Sequence, residues 1–257
     1  LTYKGLVFFD LDGTLYNAHS EVDAAVAIAL RQLRANNYLP IIATGRSPLE
    51  IQDALATTGI DSFICLNGSY IQFEGQSVYQ GTIPTPVIEA TVATAKAAGE
   101  AVAFYNDQAI RITAITQAGK DAYNYVNSDL PPVDPDYYLN HPVYMMLILT
   151  NNNDQAYTEP QGTNLTFYRN TPYSIDTVEK DCSKQTGIKT LIKSQNLSGI
   201  PTYAFGDGTN DLPMLDYVDY PTVMGNGIPE AKAKAKYITS KNTEGGIIKG
   251  LRHWGLI

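Results

Sequence analysis

The sequence predicts an α/β protein in which a parallel sheet is covered by helices and an α+β domain is inserted. Three observations carry this. Short, wholly apolar runs alternate with helical stripes towards both ends of the chain, at LVFF (6–9), LPIIA (39–43), FICL (63–66) and PTYAF (201–205). Strands buried on both faces read this way, and a strand–helix–strand order argues for parallel pairing. Secondly, the middle of the chain changes character and becomes richer in Tyr, Asn and Pro. Thirdly, the apolar runs end in small, acidic or amide residues beside glycine, where a parallel sheet binds its ligands.

The elements follow in order. After the first strand, Val22, Val26, Leu30 and Leu33 fall on one helical face, with Ser20 as a candidate cap. LPIIA is the second strand. Pro48 to Thr57 reads as a helix ended by Gly59, and FICL is the third strand. In the middle, Thr85 to Ala98 is a helix closed by Gly99, and Gln117 to Val126 is another. Ala101–Tyr105, Ile110–Thr113, Val143–Thr150 and Leu165–Arg169 read as strands, several of them half-exposed. The alternating pattern resumes with a helix over Gly187–Gln195, the PTYAF strand and a short helix at Asp211–Asp216. A strand at Pro221–Met224 follows, then helices at Pro229–Lys236 and Glu244–Trp254. These assignments give a Rossmann-like three-layer core over residues 1–81 and 173–257. Residues 82–172 form the inserted α+β domain.

Composition narrows the partners. The 257 residues carry a net charge of −8, which repels phosphate backbones and anionic bilayers at long range. No basic cluster offsets it, so neither nucleic acid nor membrane is an expected partner. No apolar run approaches the roughly 20 residues of a membrane span. The N-terminal stretch meets acidic residues too soon for a secretory signal, and two cysteines favour a reducing cytoplasm.

The chemistry sits at the strand ends. LVFF is followed by Asp10-Leu11-Asp12-Gly13-Thr14, LPIIA by Thr44-Gly45-Arg46, FICL by Asn67-Gly68, PTYAF by Gly206-Asp207-Gly208-Thr209-Asn210-Asp211, and PTVM by Gly225-Asn226-Gly227. Asp10 and Asp12, two apart in extended chain, point the same way. Asp207 and Asp211, four apart at a helix start, share a face. Carboxylates gathered at one sheet edge repel one another, which raises their pKa values or calls for a cation. Mg²⁺, hard and oxygen-seeking, suits them.

DLDGT at Asp10, then Thr44, Lys184 and GDGTND at Asp207 together resemble the haloacid dehalogenase superfamily along the whole chain. Only 31 residues separate Asp12 from Thr44, while 139 separate Thr44 from Lys184, so the insert lies where that superfamily's class II caps lie. With LNG at 66–68 and MGN at 224–226, the chain looks like the Cof-type subfamily with a type IIB cap. The resemblance implies a Mg²⁺-dependent phosphatase of small phosphorylated metabolites, sugar phosphates among them. It implies Asp10 as the nucleophile that forms an aspartyl-phosphate and Asp12 as the acid and base. Asp10, Asp207 and the Asp12 backbone carbonyl would be metal ligands, with Asp211 behind them. Thr44, Gly45, Lys184 and Asn210 would hold the phosphate.

For the lysine, Lys180 and Lys189 compete with Lys184. Arg46 is equally a substrate contact or a structural ion-pair partner. Cys182, Trp254 and the three histidines read as packing or surface residues, and Asn106-Asp107 and Asp134–Asn140 are candidate substrate contacts in the cap. Two other readings use the same acids. A phosphomutase or phosphotransferase passes the phosphoryl group to a hydroxyl instead of water. A receiver-like phospho-acceptor module would signal by shape change, but Asp12 supplies the hydrolytic group that such a module avoids.

Overall fold

The structure is a computed structural model describing residues 3–257, the side chain of residue 170 excepted. The chain divides into two compact units, residues 1–79 with 183–257, and residues 80–182.

In the first unit, β1 (Gly5–Phe9) leads through α1 (Ala24–Ala35) to β2 (Tyr38–Ala43) and through α2 (Gln52–Thr58) to β3 (Phe63–Cys65). A hairpin follows, β4 (Tyr70–Phe73) and β5 (Gln76–Gln80). The second unit contains α3 (Thr85–Ala98), β6 (Ala101–Tyr105), β7 (Ile110–Ile112), α4 (Gln117–Tyr125) and β8 (Met145–Leu149), then α5 (Gln155–Gln161), β9 (Leu165–Thr171) and β10 (Ser174–Glu179). The chain returns to the first unit with α6 (Lys184–Ser194), β11 (Thr202–Gly206), α7 (Leu212–Tyr217), β12 (Tyr220–Val223), α8 (Pro229–Lys232), β13 (Tyr237–Ile238) and α9 (Gly246–His253).

The first unit's sheet has the order β13-β12-β11-β1-β2-β3-β4-β5. The six strands from β13 to β3 are parallel, and β4 turns back antiparallel to β3. β1 lies at the centre, with Leu6 opposite Thr202 on one side and Leu39 on the other. All five residues of β1 are buried, as a doubly covered strand requires. Leu6 and Phe8 pack with Ile188 and Leu191 of α6 and Met214 of α7 on one face. On the opposite face Phe9 stacks on Phe205 at 5.0 Å, and Gly250 of α9 lies directly over the Phe205 ring. This is the expected three-layer arrangement.

The second unit is an antiparallel sheet of order β7-β6-β8-β10-β9 with its own core around Phe104, Met146, Ile148 and Tyr157. Its last strand corrects the expected boundary at 173. β10 completes this sheet by pairing with β8 and β9, so the unit runs ten residues further, to Cys182. The half-exposed reading of its strands also fails for β6, which is buried throughout. Ser20 does not cap α1. It has φ +57°, and Asp23 stands at the N-cap. Among the described residues, no helix is long and apolar enough to cross a membrane.

Candidate active site

The site is built at the carboxyl ends of β11, β1 and β2, three neighbouring parallel strands. After β1 the chain makes a wide turn over Leu11–Leu15, closed by the Leu15 N–H to the Asp10 carbonyl at 3.2 Å. Gly13 makes this turn possible. Its φ is +78°, and a Cβ there would stand 2.3 Å from Oδ2 of Asp207. Thr14 Oγ1 donates to Asp207 Oδ1 at 2.9 Å, joining the β1 and β11 loops.

α6 delivers the cation. Ser183 caps it, accepting from the Thr186 N–H at 3.2 Å while its own N–H donates to Thr186 Oγ1 at 2.9 Å. The first helical residue is Lys184, with no solvent exposure. Its Nζ donates to Asp10 Oδ1 at 2.5 Å and to Asp211 Oδ1 at 2.7 Å. The other two lysines are elsewhere. Lys180 Nζ donates to the Gly162 carbonyl, and Lys189 lies over the Tyr217 ring.

Asp211 is fully engaged. Its Oδ2 accepts from the backbone N–H groups of Asp207 and Gly208, both at 2.9 Å, and its Oδ1 holds Lys184. It therefore shapes the loop that presents Asp207. Single carboxylate oxygens of Asp10, Asp207 and Asp211 all lie within 4.8 Å of one another. Burial raises the Asp10 carboxyl well above its ordinary value, and the Asp211 charge adds to this against the pull of Lys184. Asp207 is pushed up to about 6, by burial first and Asp211 second. Burial lowers Lys184, but Asp10 and Asp211 more than offset it and the ammonium is held charged. One cation for three carboxylates leaves the cluster short of positive charge. An all-oxygen donor set with surplus negative charge fits a hard divalent metal ion.

Asp12 stands apart from that cluster. Both its oxygens are held by Arg46, from Nε at 2.8 Å and Nη2 at 2.7 Å, and the guanidinium lies over the Tyr16 ring at 5.2 Å. The Arg46 side chain is thus bound to an acid. The Arg46 N–H donates to Thr44 Oγ1 at 3.1 Å, which leaves the buried Thr44 hydroxyl its own hydrogen to donate. Beside it the Gly45 N–H donates to no described residue. A hydroxyl and an amide with free hydrogens at a strand end suit an anion's oxygens. Asn210 Nδ2 donates to Asn67 Oδ1 at 3.0 Å.

Three residues of this region carry no role in the sequence reading. Thr14 lies inside the DLDGT motif and ties Asp207. Asn226 Nδ2 donates to the Gly13 carbonyl at 2.8 Å and reaches Asp207 Oδ2 at 3.3 Å. Asn67 is fully buried behind Asn210. The signal for both asparagines was an amide next to glycine immediately after an apolar run. Two candidates in the second unit are accounted for locally. Asn106 is consumed by its own loop, its Oδ1 accepting from the Gln108 and Ala109 N–H groups, its Nδ2 donating to Tyr137 Oη and the Pro142 carbonyl. In the second candidate segment, Tyr137 is buried and stacks on His141 at 4.3 Å.

The profile of the haloacid dehalogenase-like hydrolases matches residues 7–251. The chain belongs to the haloacid dehalogenase superfamily. This Cof-type hydrolase is 30% identical over 254 residues to the putative phosphatase YkrA of Bacillus subtilis, covering 98% of each chain. It is 24% identical to the HMP-PP phosphatase of Yersinia enterocolitica, over 97% of this chain and 94% of that one. Among solved structures, the superfamily's subclass IIB sugar phosphatase BT4131 superposes with a TM-score of 0.87 at 28% identity, covering 98% of this chain and 100% of the other.

Proposed function

We propose that this hydrolase is a Mg²⁺-dependent phosphatase of small phosphorylated metabolites, sugar phosphates among them, acting through an aspartyl-phosphate on Asp10. The observation that carries the reading is the buried Asp10–Lys184–Asp211 contact with Asp207 at its edge, at the carboxyl end of the central strand. A surplus of carboxylates next to free hydroxyl and amide donors suits a trianionic transition state plus a divalent cation.

In the first step a carboxylate oxygen of Asp10 attacks phosphorus, and the bond from phosphorus to the ester oxygen breaks. Asp12 gives its proton to that oxygen, so the leaving group departs as an alcohol. In the second step Asp12 takes a proton from water, and the water oxygen attacks the same phosphorus. The Asp10–phosphorus bond breaks, releasing phosphate and restoring the carboxylate. The Thr44 hydroxyl, the Gly45 amide, Asn210 and Lys184 hold the transferring oxygens through both steps. Asp12 must leave Arg46 to act as a donor, since a carboxylate gripped at both oxygens has none free. Asp10, Asp207 and the Asp12 carbonyl would hold Mg²⁺, with Asp211 fixing the Asp207 loop. When bound, the ion neutralises repulsion between the carboxylates and the phosphate.

We assign catalysis to the first unit and substrate choice to residues 80–182. The likeness to a sugar phosphatase and to an HMP-PP phosphatase supports the substrate class. Two cysteine thiols support a cytoplasmic, reducing setting.

The test is phosphate release from p-nitrophenyl phosphate and a panel of sugar phosphates, with Mg²⁺ or EDTA, for wild type and Asp10→Asn. The expected result is metal-dependent release that falls by about 10⁴-fold or more in the variant. A hexose 1-phosphate converted to the 6-phosphate would establish transfer in place of hydrolysis.

A further inference from the structure

Three consecutive residues after β3 hold positive φ: Leu66 at +52°, Asn67 at +53° and Gly68 at +110°. Glycine takes such angles freely and asparagine tolerates them, but a leucine there costs about 1 kcal/mol or more. Backbone strain of this kind survives only where the surroundings over-determine it, and it collects at functional sites.

The surroundings here are the loops of the candidate site. The Leu66 N–H donates to the Arg46 carbonyl at 3.0 Å and the Asn67 N–H to the Thr44 carbonyl at 3.1 Å. The Asn67 side chain, with 0% exposure, accepts from Asn210 Nδ2 at 3.0 Å. The first turn of α6 lies hard against the same bend. A Cβ on Gly187 would stand 3.1 Å from the Gly68 Cα and 2.7 Å from Ile64 Cγ2. One short turn thus touches the loop of Thr44, the loop of Asn210 and the helix that begins with Lys184.

We propose that Asn67 is a positioning residue for the phosphate site. Its backbone fixes the Thr44–Arg46 loop, its side-chain oxygen orients the Asn210 amide, and the turn sets the spacing between the two loops and α6. A bend needed only to reverse the chain would be served by glycine, with no strain and no buried amide to satisfy. The proposal rests on the reading of Thr44, Lys184 and Asn210 as phosphate ligands.

The experiment compares Asn67→Gly, Asn210→Ala and the double variant. Asn67→Gly keeps the left-handed turn and deletes the amide. We expect KM for p-nitrophenyl phosphate and Ki for inorganic phosphate to rise together, by about 10-fold, in each single variant. The double variant should be no worse than either, because the two residues act as one contact. A lowered Tm with KM and Ki unmoved in Asn67→Gly, while Asn210→Ala is impaired, overturns the proposal and leaves the phosphatase reading intact. Losses that multiply in the double variant also overturn it. Unchanged constants in Asn210→Ala remove both that residue's role and the proposal. Failure of the phosphatase reading itself appears differently, as turnover that survives Asp10→Asn or is absent in wild type. Should the single variant fold poorly, Leu66→Gly with Asn67→Gly relaxes the backbone and preserves the comparison.

Discussion

Asp10, Asp211 and Lys184 in the first unit are charged groups withdrawn from water and Glu100 in the second is half-buried, and their surroundings differ. Around Lys184, three carboxylates share one ammonium and two of them are raised in pKa. Around Glu100, one carboxylate meets three neutral donors: Thr150 Oγ1, Asn153 Nδ2 at 3.2 Å and Tyr157 Oη at 2.5 Å. The second arrangement is satisfied and ties β8, α5 and the end of α3 together. The first is left with a surplus of negative charge, which a divalent cation would offset. Buried charge marks function here where its own chain leaves it unbalanced.

The largest way to break the contrast is Lys184→Met. It leaves Asp10 and Asp211 without their cation, which should cost about 3–5 kcal/mol in urea unfolding of the metal-free protein and abolish phosphate release. A smaller shift in stability, or retained turnover, would show that the ammonium is not central to the cluster.

The raised carboxyls also fix a pH dependence. Asp207 rises from 3.8 to about 6 in the folded chain. The folded state therefore binds its proton more tightly, and the stability this contributes is full below about pH 4 and lost as pH rises through 6. Metal-free protein should be about 1.4 kcal/mol less stable at pH 7.5 than at pH 5 from this group, with Asp10 acting in the same direction. Saturating Mg²⁺ should flatten the difference. Denaturation curves at both pH values, with EDTA and with Mg²⁺, test the sign.

Glu100→Gln sharpens the other side. An amide cannot accept everything the carboxylate accepts, so a loss of about 1–3 kcal/mol is expected in urea unfolding, with kcat/KM on p-nitrophenyl phosphate unchanged. A drop in kcat/KM at full folding would contradict the division of roles. The smallest effect belongs to Arg46→Ala, which frees Asp12. Since Asp12 must leave this grip to act, turnover of an alkyl phosphate should hold or rise by up to about 3-fold, and that of p-nitrophenyl phosphate, whose leaving group needs little protonation, should change less. Equal losses on both would return Arg46 to substrate binding.

The contrast also separates what the sequence made legible. Motif chemistry was readable because a parallel sheet brings its strand ends together, so DLDGT and GDGTND could be placed on one edge without knowing side-chain positions. Regular elements with strong punctuation were readable too: Thr85–Ala98 ends at Gly99, which has φ +69°. Elements without an apolar signal were not. β5 is QSVYQ and mostly exposed, β10 is SIDTVE with polar alternate positions, and α5 carries Pro160 inside it. Missing β10 displaced the domain boundary. The predicted helix at Pro229–Lys236 shrinks to Pro229–Lys232, since the chain must turn into β13. Asn67 was visible as a residue, but its work depends on Asn210, 143 positions away. Pairings of that separation are set by tertiary structure alone.

The central strand has a temporal consequence. β1 takes its place between β2 and β11, and its Leu6 faces Thr202. At about 5–20 residues per second of synthesis, the first strand waits roughly 10–40 s for that neighbour to emerge from the ribosome. Residues 80–182 are contiguous and can fold during the wait. The nascent chain can therefore carry a folded inner domain beside a sheet edge that stays open until β11 emerges.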